Sequence, residues 1–192
     1  MAALVLKMSV SLDGYVAPPD GSGDWIAAGR SADALDWSVE TVRNAAAHLV
    51  GATTYAAWAG YWPRAAGPFA AAMNEIPKYV FSASLTSADW APSTIVAGEL
   101  TEAVARLKRE HAGGYLLAHG GVRFARSLVA AGLVDEYRLA VHPVVLGAGE
   151  RLFHAPLAVA PTRTTVFSGG AVGHVFTTTH SVPTGMYATL AP

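Results

Sequence analysis

The feature that most constrains this chain is a strand, a glycine pair, a helix and a second strand that follow one another with very short connections. The apolar run Tyr115–Ala118 predicts a buried strand, and a helical segment begins directly after Gly120 and Gly121. Gly132 ends that segment, because glycine readily adopts the left-handed conformation that follows a helix C-terminus. The next strand starts near Asp135. A unit of this kind predicts an α/β fold with parallel neighbouring strands.

The glycine pair Gly120-Gly121 has two interpretations at this stage. Two glycines between a strand and a helix allow the backbone to approach a ligand closely, and the free amides of the first helical turn then point at it. Such a site holds phosphate without using a lysine. The alternative is a tight turn between strand and helix that binds nothing.

Composition excludes several classes of function. The 192 residues are 52% hydrophobic and 14% charged, which describes one globular domain with a substantial core. A formal net charge of −1 predicts no binding of nucleic acid or of an anionic membrane. The chain has no cysteine, so disulfides, thiolate metal sites and a cysteine nucleophile are excluded. The N-terminus does not resemble a signal peptide and no apolar run is long enough to cross a bilayer, so we expect a cytoplasmic protein.

The order of predicted elements indicates a mostly parallel sheet that ends in an antiparallel hairpin. In the first predicted helix, Ser31 is a candidate N-cap and Leu35, Val39 and Val42 have helical spacing. We expect one domain over residues 1–180 and a tail at 181–192. The predicted strands are 4–10, 48–51, 76–82, 94–97, 115–118, 136–145, 162–168 and 174–179. The predicted helices are 31–47, 53–58, 100–111 and the segment between the glycine pair and Gly132.

Five sequence blocks in this order resemble the dihydrofolate reductase-like superfamily. The similarity is greatest to the C-terminal reductase domain of bacterial riboflavin-biosynthesis deaminase-reductases, as a stand-alone member, and covers about residues 3–180. The blocks are Ser11–Ala17 (SLDGYVA), Gly51–Tyr55 (GATTY), Pro77–Ser82 (PKYVFS), Gly120-Gly121 leading to Gly132–Glu136 (GLVDE), and Pro143–Gly149 (PVVLGAG) followed by Leu152-Phe153.

The resemblance implies a central sheet of about eight strands with helices on both faces, and a homodimer. It implies hydride transfer from NADPH to a small pterin-, pyrimidine- or ribosylaminopyrimidine-like heterocycle, as in 5-amino-6-(5-phosphoribosylamino)uracil reductases or dihydrofolate reductases. By position, the family's cofactor-binding residues correspond to Gly51, Thr53, Thr54, Ser82, Gly120, Gly121, Val122 and Arg123. For the two threonines, simple helix capping is the alternative.

Two positions depart from the family pattern. The family commonly has an arginine after the glycine at position 51, where it pairs with the 2′-phosphate of NADPH, but this chain has Ala52. The resemblance therefore implies NADPH without excluding NADH, with Lys78, Arg64 or Arg123 as substitute cations. His119 stands where dihydrofolate reductases tend to carry another glycine.

Two aspartates are candidates for the catalytic acid. Asp13 leaves the first strand at the expected mouth of the pocket, and its alternative role is to cap a turn. Asp36 lies on the first helix, where folate reductases place their single acid, and its alternative is a solvated helix face. Asp13, Trp25 and Trp58 are candidate substrate contacts, although aromatic residues with the spacing of Trp58 are more often part of a core.

Other chemistries have little support in the sequence. The seven histidines lack metal-ligand spacing, so we expect no metal site. The main alternative to a reductase is a non-catalytic nucleotide- or ligand-binding protein on the same fold. Ala52 favours that alternative, whereas the glycine pair, the threonine pair and Ser82 favour the reductase.

Overall fold

The computed structural model describes residues 1–179, so the predicted tail at 181–192 lies outside the described residues. Within residues 1–179, ten strands form an eight-stranded sheet and a separate two-stranded one, the latter made of β2 and β8. Their bounds are β1 Ala3–Ser11, β2 Tyr15–Ala17, β3 Ala45–Gly51, β4 Lys78–Phe81, β5 Ser93–Val96, β6 Tyr115–His119, β7 Glu136–His142, β8 Glu150–Arg151, β9 Val159–Val166 and β10 Val172–Thr178.

In the described part of the chain, five α-helices connect the strands, and short 3-10 helices occupy Asp24–Ala27 and Trp62–Arg64. Of the helices within the described residues, none combines the length and the apolar character that crossing a bilayer requires. The α-helices are α1 Ala32–Arg43, α2 Ala52–Ala59, α3 Pro68–Glu75, α4 Leu100–Glu110 and α5 Val122–Ala130.

The large sheet has the strand order β5-β4-β3-β6-β1-β7-β10-β9. Its first six strands run parallel to their neighbours, and β10 pairs antiparallel with both β7 and β9. This confirms the predicted dihydrofolate reductase-like α/β fold with its C-terminal hairpin.

Helices cover both faces of the sheet, as predicted. Side chains alternate along β1, so Leu4 and Leu6 belong to one core cluster and Val5 to the other. The first cluster includes Val104 and Leu107 of α4 and Ala125 and Leu128 of α5. The second includes residues of α1, α2 and α3, namely Val42, Tyr55, Ala72 and Met73. Helices α4 and α5 therefore pack on one face, and α1, α2 and α3 on the other.

Several predicted boundaries were wrong for identifiable reasons. Helix α1 ends at Arg43 rather than near residue 47, because residues 45–49 pair with β6 instead. Strand β7 ends at His142, since Pro143 has no N–H to continue the ladder. Val39 and Val42 are buried as expected, but Leu35 is 43% exposed. Helix α3 was not predicted.

Candidate functional site: a cleft and a pocket at the carboxyl edge of the sheet

The direction of the chain reverses between β3 and β6. Strand β3 leads through α2 and α3 to β4 on one side, whereas β6 leads through α5 towards β1 and β7 on the other. In open α/β sheets, ligands bind outside the carboxyl ends of strands at such a reversal, because the two connections diverge and leave a crevice. Gly51 ends β3 and His119 ends β6, so both mark this point.

A cleft of about 720 Å³, which we call the outer cleft, opens where α2 and α5 begin. The first backbone amides of both helices have no partner within their helix and can donate to an anion. The outer cleft brings together six of the eight predicted cofactor residues: Gly51, Thr53, Thr54, Gly121, Val122 and Arg123. Ala17, Gly21, Ala52, Phe124, Arg126, Ser127 and Glu150 complete its lining.

Glycine is required where the two helices meet. Gly121 has φ +72°, and a Cβ there would lie 2.5 Å from Oγ1 of Thr54. A Cβ on Gly51 would lie 3.0 Å from Cβ of Phe124. Without these side chains the backbone of both turns stays open to the cleft, which is the arrangement that fits a nucleotide phosphate.

The cations of the outer cleft come from α5 rather than α2. Nη2 of Arg123 donates to Oγ1 of Thr53 at 3.4 Å, and Arg123 is exposed. Arg126 is engaged by an ion pair to Glu150 at 2.5 Å and a hydrogen bond from Nε to the carbonyl of Arg151 at 2.7 Å. Of the described cleft residues, Arg123 is therefore the cation that is available to a ligand.

Lys78 and Arg64 do not line the outer cleft. The Lys78 side chain is buried, and Nζ donates to the carbonyl oxygens of Ile76 and Asn74 at 2.8 and 3.1 Å. Nη1 of Arg64 contacts the carbonyl of Gly60 at 3.5 Å. The proposal that Lys78 replaces the missing arginine is contradicted by this burial.

Ser82 follows β4 and stands beside the end of β3, outside the lining of the outer cleft. Its Oγ accepts hydrogen bonds from the backbone N–H groups of Leu85 and Ser84 at 2.9 and 3.2 Å. The hydroxyl thus stabilises its own loop, and its contact with a cofactor stays a prediction.

A second cavity, which we call the inner pocket, lies on the face of the sheet that α1 covers, and its volume is about 370 Å³. Its walls are largely aromatic, and its polar groups come from β1, β6, β7 and α1. The lining residues are Lys7, Ser9, Ile26, Gly29, Arg30, Ser31, Ala34, Leu35, Trp37, Ser38, Trp58, Trp62, Phe69, His119, Ala140, His142, Phe167 and Ala171.

Lys7 projects from the middle of β1 into the inner pocket and is only 5% exposed. Its Nζ lies 5.4 Å from the centre of the Trp37 ring, and no described acceptor or carboxylate pairs with it. Burial, together with the positive charge of Arg138 on the adjacent strand, lowers the pKa of Lys7 from 10.5 to about 8. A buried ammonium without a hydrogen-bond or ion-pair partner is costly, which makes Lys7 a candidate functional residue.

His119 pairs with Lys7 across the β6–β1 ladder and also lines the inner pocket. Its Nδ1 is buried without a hydrogen-bond partner among the described residues. Burial, with the nearby charges of Lys7 and His48, holds the pKa of His119 well below its usual range, so the ring is neutral. His119 stacks on His48 with ring centres 5.9 Å apart.

The turn His119-Gly120-Gly121 separates the two cavities. His119 lines the inner pocket and Gly121 the outer cleft. A Cβ on Gly120, which has φ +71°, would lie 3.0 Å from Cζ2 of Trp58. A ligand phosphate in the outer cleft and a ring in the inner pocket would consequently approach each other at this turn. Trp58 is thus at the cavity boundary, as a substrate contact requires.

Asp13 does not have the environment of a proton donor. Its carboxylate accepts hydrogen bonds from the hydroxyl of Ser11 at 2.6 Å and from the N–H groups of Gly147 and Leu146 at 2.7 and 3.1 Å. The Ser11 hydrogen bond, aided by these amides, lowers the pKa of Asp13 to about 2. The carboxylate is therefore ionised at neutral pH and ties the loop after β1 to the loop after β7. This favours the capping role given above as the alternative, and a catalytic or substrate-binding role of Asp13 stays a prediction.

Asp36 is exposed on α1 and does not line the inner pocket, whereas its neighbour Trp37 does. Trp25 packs edge-on against His142, with ring centres 5.4 Å apart. Nδ1 of His142 donates to the carbonyl of Ala28 at 2.7 Å, and Nε2 lies 3.1 Å from Oγ of Ser9. Trp25 thereby helps to hold the 24–31 loop over the inner pocket, while Asp36 faces away from it.

Sequence reasoning missed Lys7 and His142. Lys7 had a usable signal, because it is the single charged residue in an otherwise apolar strand. His142 had none, since its role depends on a contact with Ala28 far away in the chain. Within residues 1–179, no cluster of three or more His, Cys, Asp or Glu side chains could hold a metal ion.

Comparison with known proteins agrees with the fold. Residues 2–172 match the RibD C-terminal domain family. The uncharacterized protein YyaP of Bacillus subtilis (strain 168) is 29% identical over 185 residues, which are 90% of this chain and 93% of YyaP.

Two solved structures are similar. A putative riboflavin biosynthesis protein from Shewanella sp. PV-4 superposes with a TM-score of 0.76 at 20% identity, covering 93% of this chain and 99% of that one. A diaminohydroxyphosphoribosylaminopyrimidine deaminase/5-amino-6-(5-phosphoribosylamino)uracil reductase from Thermotoga maritima superposes with a TM-score of 0.68 at 17% identity, covering 93% of this chain and 57% of that one. At these identities the superpositions establish the fold alone.

Proposed function

The chain belongs to the RibD C-terminal domain family, and from that premise we propose that it is an NAD(P)H-dependent reductase of a small pterin-, pyrimidine- or ribosylaminopyrimidine-like heterocycle. The observation that carries the proposal is the convergence of two helix N-termini and two glycine turns on the outer cleft, at the reversal of the sheet. The substrate occupies the inner pocket on the other side of the same turn.

The outer cleft supplies the groups that a dinucleotide needs. The first amides of α2 and α5 and the hydroxyl of Thr53 can donate to the pyrophosphate. Gly121 allows the start of α5 to lie directly against Thr54 of α2, because a Cβ there would lie 2.5 Å from Oγ1 of Thr54. Arg123 lines the same cleft. It can pair with a 2′-phosphate in place of the family's arginine, which is replaced by Ala52 in this chain. We therefore propose NADPH as the cofactor, with NADH admitted at lower affinity.

The protein's part in the reaction is positioning and electrostatics. When bound, NAD(P)H supplies the hydride for a two-electron reduction. Trp58 and Trp37 hold a planar ring in the inner pocket, and the aromatic walls exclude water from it. Lys7 remains protonated near neutral pH with a pKa close to the working range, so it can hold or release a proton in the pocket.

A pair of glycine variants tests the cofactor site. Gly121→Ala and Gly132→Ala place a side chain at φ +72° and +65°, so both pay a similar backbone cost, but only the first new Cβ meets another group. We expect Gly121→Ala to weaken NADPH binding at least tenfold in calorimetric titration, while Gly132→Ala binds like the wild type. Equal affinities in the two variants would refute the site.

Turnover distinguishes the reductase from a non-catalytic binding protein. The non-catalytic alternative is favoured by alanine at position 52, where the family commonly has arginine. The absorbance of reduced nicotinamide is followed with dihydropterin and pyrimidine compounds in the assay. A reductase consumes NADPH with at least one compound of this class. Tight NADPH binding without consumption in the whole series supports the binding protein.

A further inference from the structure

The shape of the inner pocket selects a flat ligand. Five tryptophan and phenylalanine rings line it, namely Trp37, Trp58, Trp62, Phe69 and Phe167. Trp37 packs on Phe167 with ring centres 5.7 Å apart. A cavity of about 370 Å³ between aromatic faces has room for one or two fused rings with small substituents.

The titratable side chains that line the inner pocket are all basic. Its titratable lining residues are Lys7, Arg30, His119 and His142, and no aspartate or glutamate is among the described lining residues. Asp36 faces solvent and Asp13 is engaged by the 146–147 loop, so neither supplies a negative charge. A protonated, basic ring would find no carboxylate to pair with.

Lys7 is the group that most needs a partner. It is 5% exposed, faces the pocket, and has no carboxylate or carbonyl contact among the described residues. The residue opposite Lys7 on β7 is Arg138, whose positive charge repels the ammonium and which is itself paired with Glu136 at 2.6 Å. A ligand that brings a negative charge into the pocket would satisfy Lys7 and remove an uncompensated buried cation.

The other buried lysine of the chain shows the contrast. Lys78 is also buried, but its Nζ donates to two backbone carbonyls and lies 4.2 Å from the centre of the Trp90 ring. Its hydrogen bonds are made within the protein. Burial of a lysine in this fold therefore does not by itself leave the ammonium without a hydrogen-bond acceptor. Among the described residues, Lys7 lacks one because of its position in the inner pocket.

We propose that the inner pocket binds a planar anion, whose negative charge lies against the Lys7 ammonium and whose ring packs against the aromatic side chains of the lining. The proposal rests on the proposed function, because it takes the inner pocket as the substrate site. It narrows the substrate class to acidic heterocycles, such as carboxylated rings, and disfavours basic rings that bind as cations.

Three pyrimidines of similar size test the proposal by calorimetric titration at pH 7. Orotate carries a carboxylate, orotamide has the same shape without the charge, and diaminopyrimidine is basic. We expect orotate to bind at least tenfold more tightly than orotamide, and diaminopyrimidine to bind most weakly. Because the two compounds have the same shape, the difference in affinity between orotate and orotamide measures the contribution of the negative charge to binding.

Two matched variants identify the cation. In Lys7→Met the preference for orotate over orotamide should disappear, whereas Lys78→Met should keep it. His119→Leu should weaken both compounds by a similar factor, because its neutral ring recognises no charge. Near-UV circular dichroism verifies that each variant is folded.

Every other outcome overturns the proposal. Equal binding of orotate and orotamide, tightest binding of diaminopyrimidine, or no binding of any of the three at millimolar concentration would show that the pocket does not select planar anions. An orotate preference that survives Lys7→Met would show that another group supplies the charge. NADPH affinity is measured separately on the same proteins, so a failure here is distinguishable from a failure of the cofactor site.

Discussion

Replacing Lys7 with methionine should stabilise the protein in the absence of ligand. Burial lowers the pKa of Lys7 from 10.5 to about 8, and each pKa unit corresponds to about 1.4 kcal/mol. Keeping the ammonium charged in the fold therefore costs roughly 3 kcal/mol at neutral pH. Methionine has a similar length and no charge, so most of that cost is recovered. For a chain of this size the melting temperature should rise by roughly 5–10 °C, which scanning calorimetry measures.

The dependence of this effect on pH is part of the prediction. Because the pKa of Lys7 is lower in the folded state, the unfolded chain binds more protons between pH 8 and 10.5, and the wild type gains stability as the pH rises through that window. The advantage of Lys7→Met should be complete below pH 8 and vanish near pH 10.5. A lower melting temperature for Lys7→Met, or a difference that does not change with pH, would refute the reasoning.

Lys78→Met is the control for this measurement. Burial lowers the pKa of Lys78 to about 8 as well, but its removal leaves the carbonyls of Asn74 and Ile76 without their donor. An unpaired buried acceptor costs about 1–3 kcal/mol, so the gain should be cancelled. We expect no increase in melting temperature for Lys78→Met.

Three further predictions concern the cofactor, the loops and the oligomer. Ala52→Arg should raise NADPH affinity at least tenfold and leave NADH affinity unchanged in fluorescence titrations, since a guanidinium at the start of α2 can pair with the 2′-phosphate; equal gains for both would contradict this. Asp13→Asn should lower the melting temperature without changing NADPH affinity, and the difference should shrink as the pH falls from about 4 towards 2, because the folded-state pKa is the lower one; a pH-independent difference would contradict this. We expect the predicted homodimer to form through the β9 edge of the sheet, where Val166 is 73% exposed, so Val166→Lys should shift the mass in light scattering from dimer to monomer; a monomeric wild type would contradict this.

Local patterns were sufficient for most of the fold. The glycine pair and the residues around it predicted β6, α5 and β7, because glycine conformations and apolar runs are properties of short segments. Two runs at 162–168 and 174–179, separated by Gly169-Gly170 and Gly173, predicted the hairpin of β9 and β10. Helix α3 had no such signal, since the run Pro68–Glu75 contains too many alanines to show an amphipathic period.

Tertiary contacts account for what could not be predicted. The alanines at 45–47 favour a helix in isolation, yet they form the start of β3 because β6 pairs with them. The cofactor residues of the outer cleft follow two glycine turns that are visible in the sequence. The inner pocket assembles β1, α1, β6 and β7 side chains from distant parts of the chain, so no sequence window contains it. The hydrogen bonds of Asp13 could be predicted only in part, because Ser11 is two residues away whereas Leu146 and Gly147 lie more than a hundred residues away.

Titration of tryptophan fluorescence with NADPH and, separately, with NADH tests the central claim most directly. Trp58 contacts the turn between the outer cleft and the inner pocket, so a nicotinamide ring bound there should quench it by energy transfer. We predict saturable quenching with micromolar affinity for NADPH and weaker affinity for NADH, and loss of most of the quenching in Trp58→Phe. No saturable binding of either nucleotide would contradict the reductase assignment.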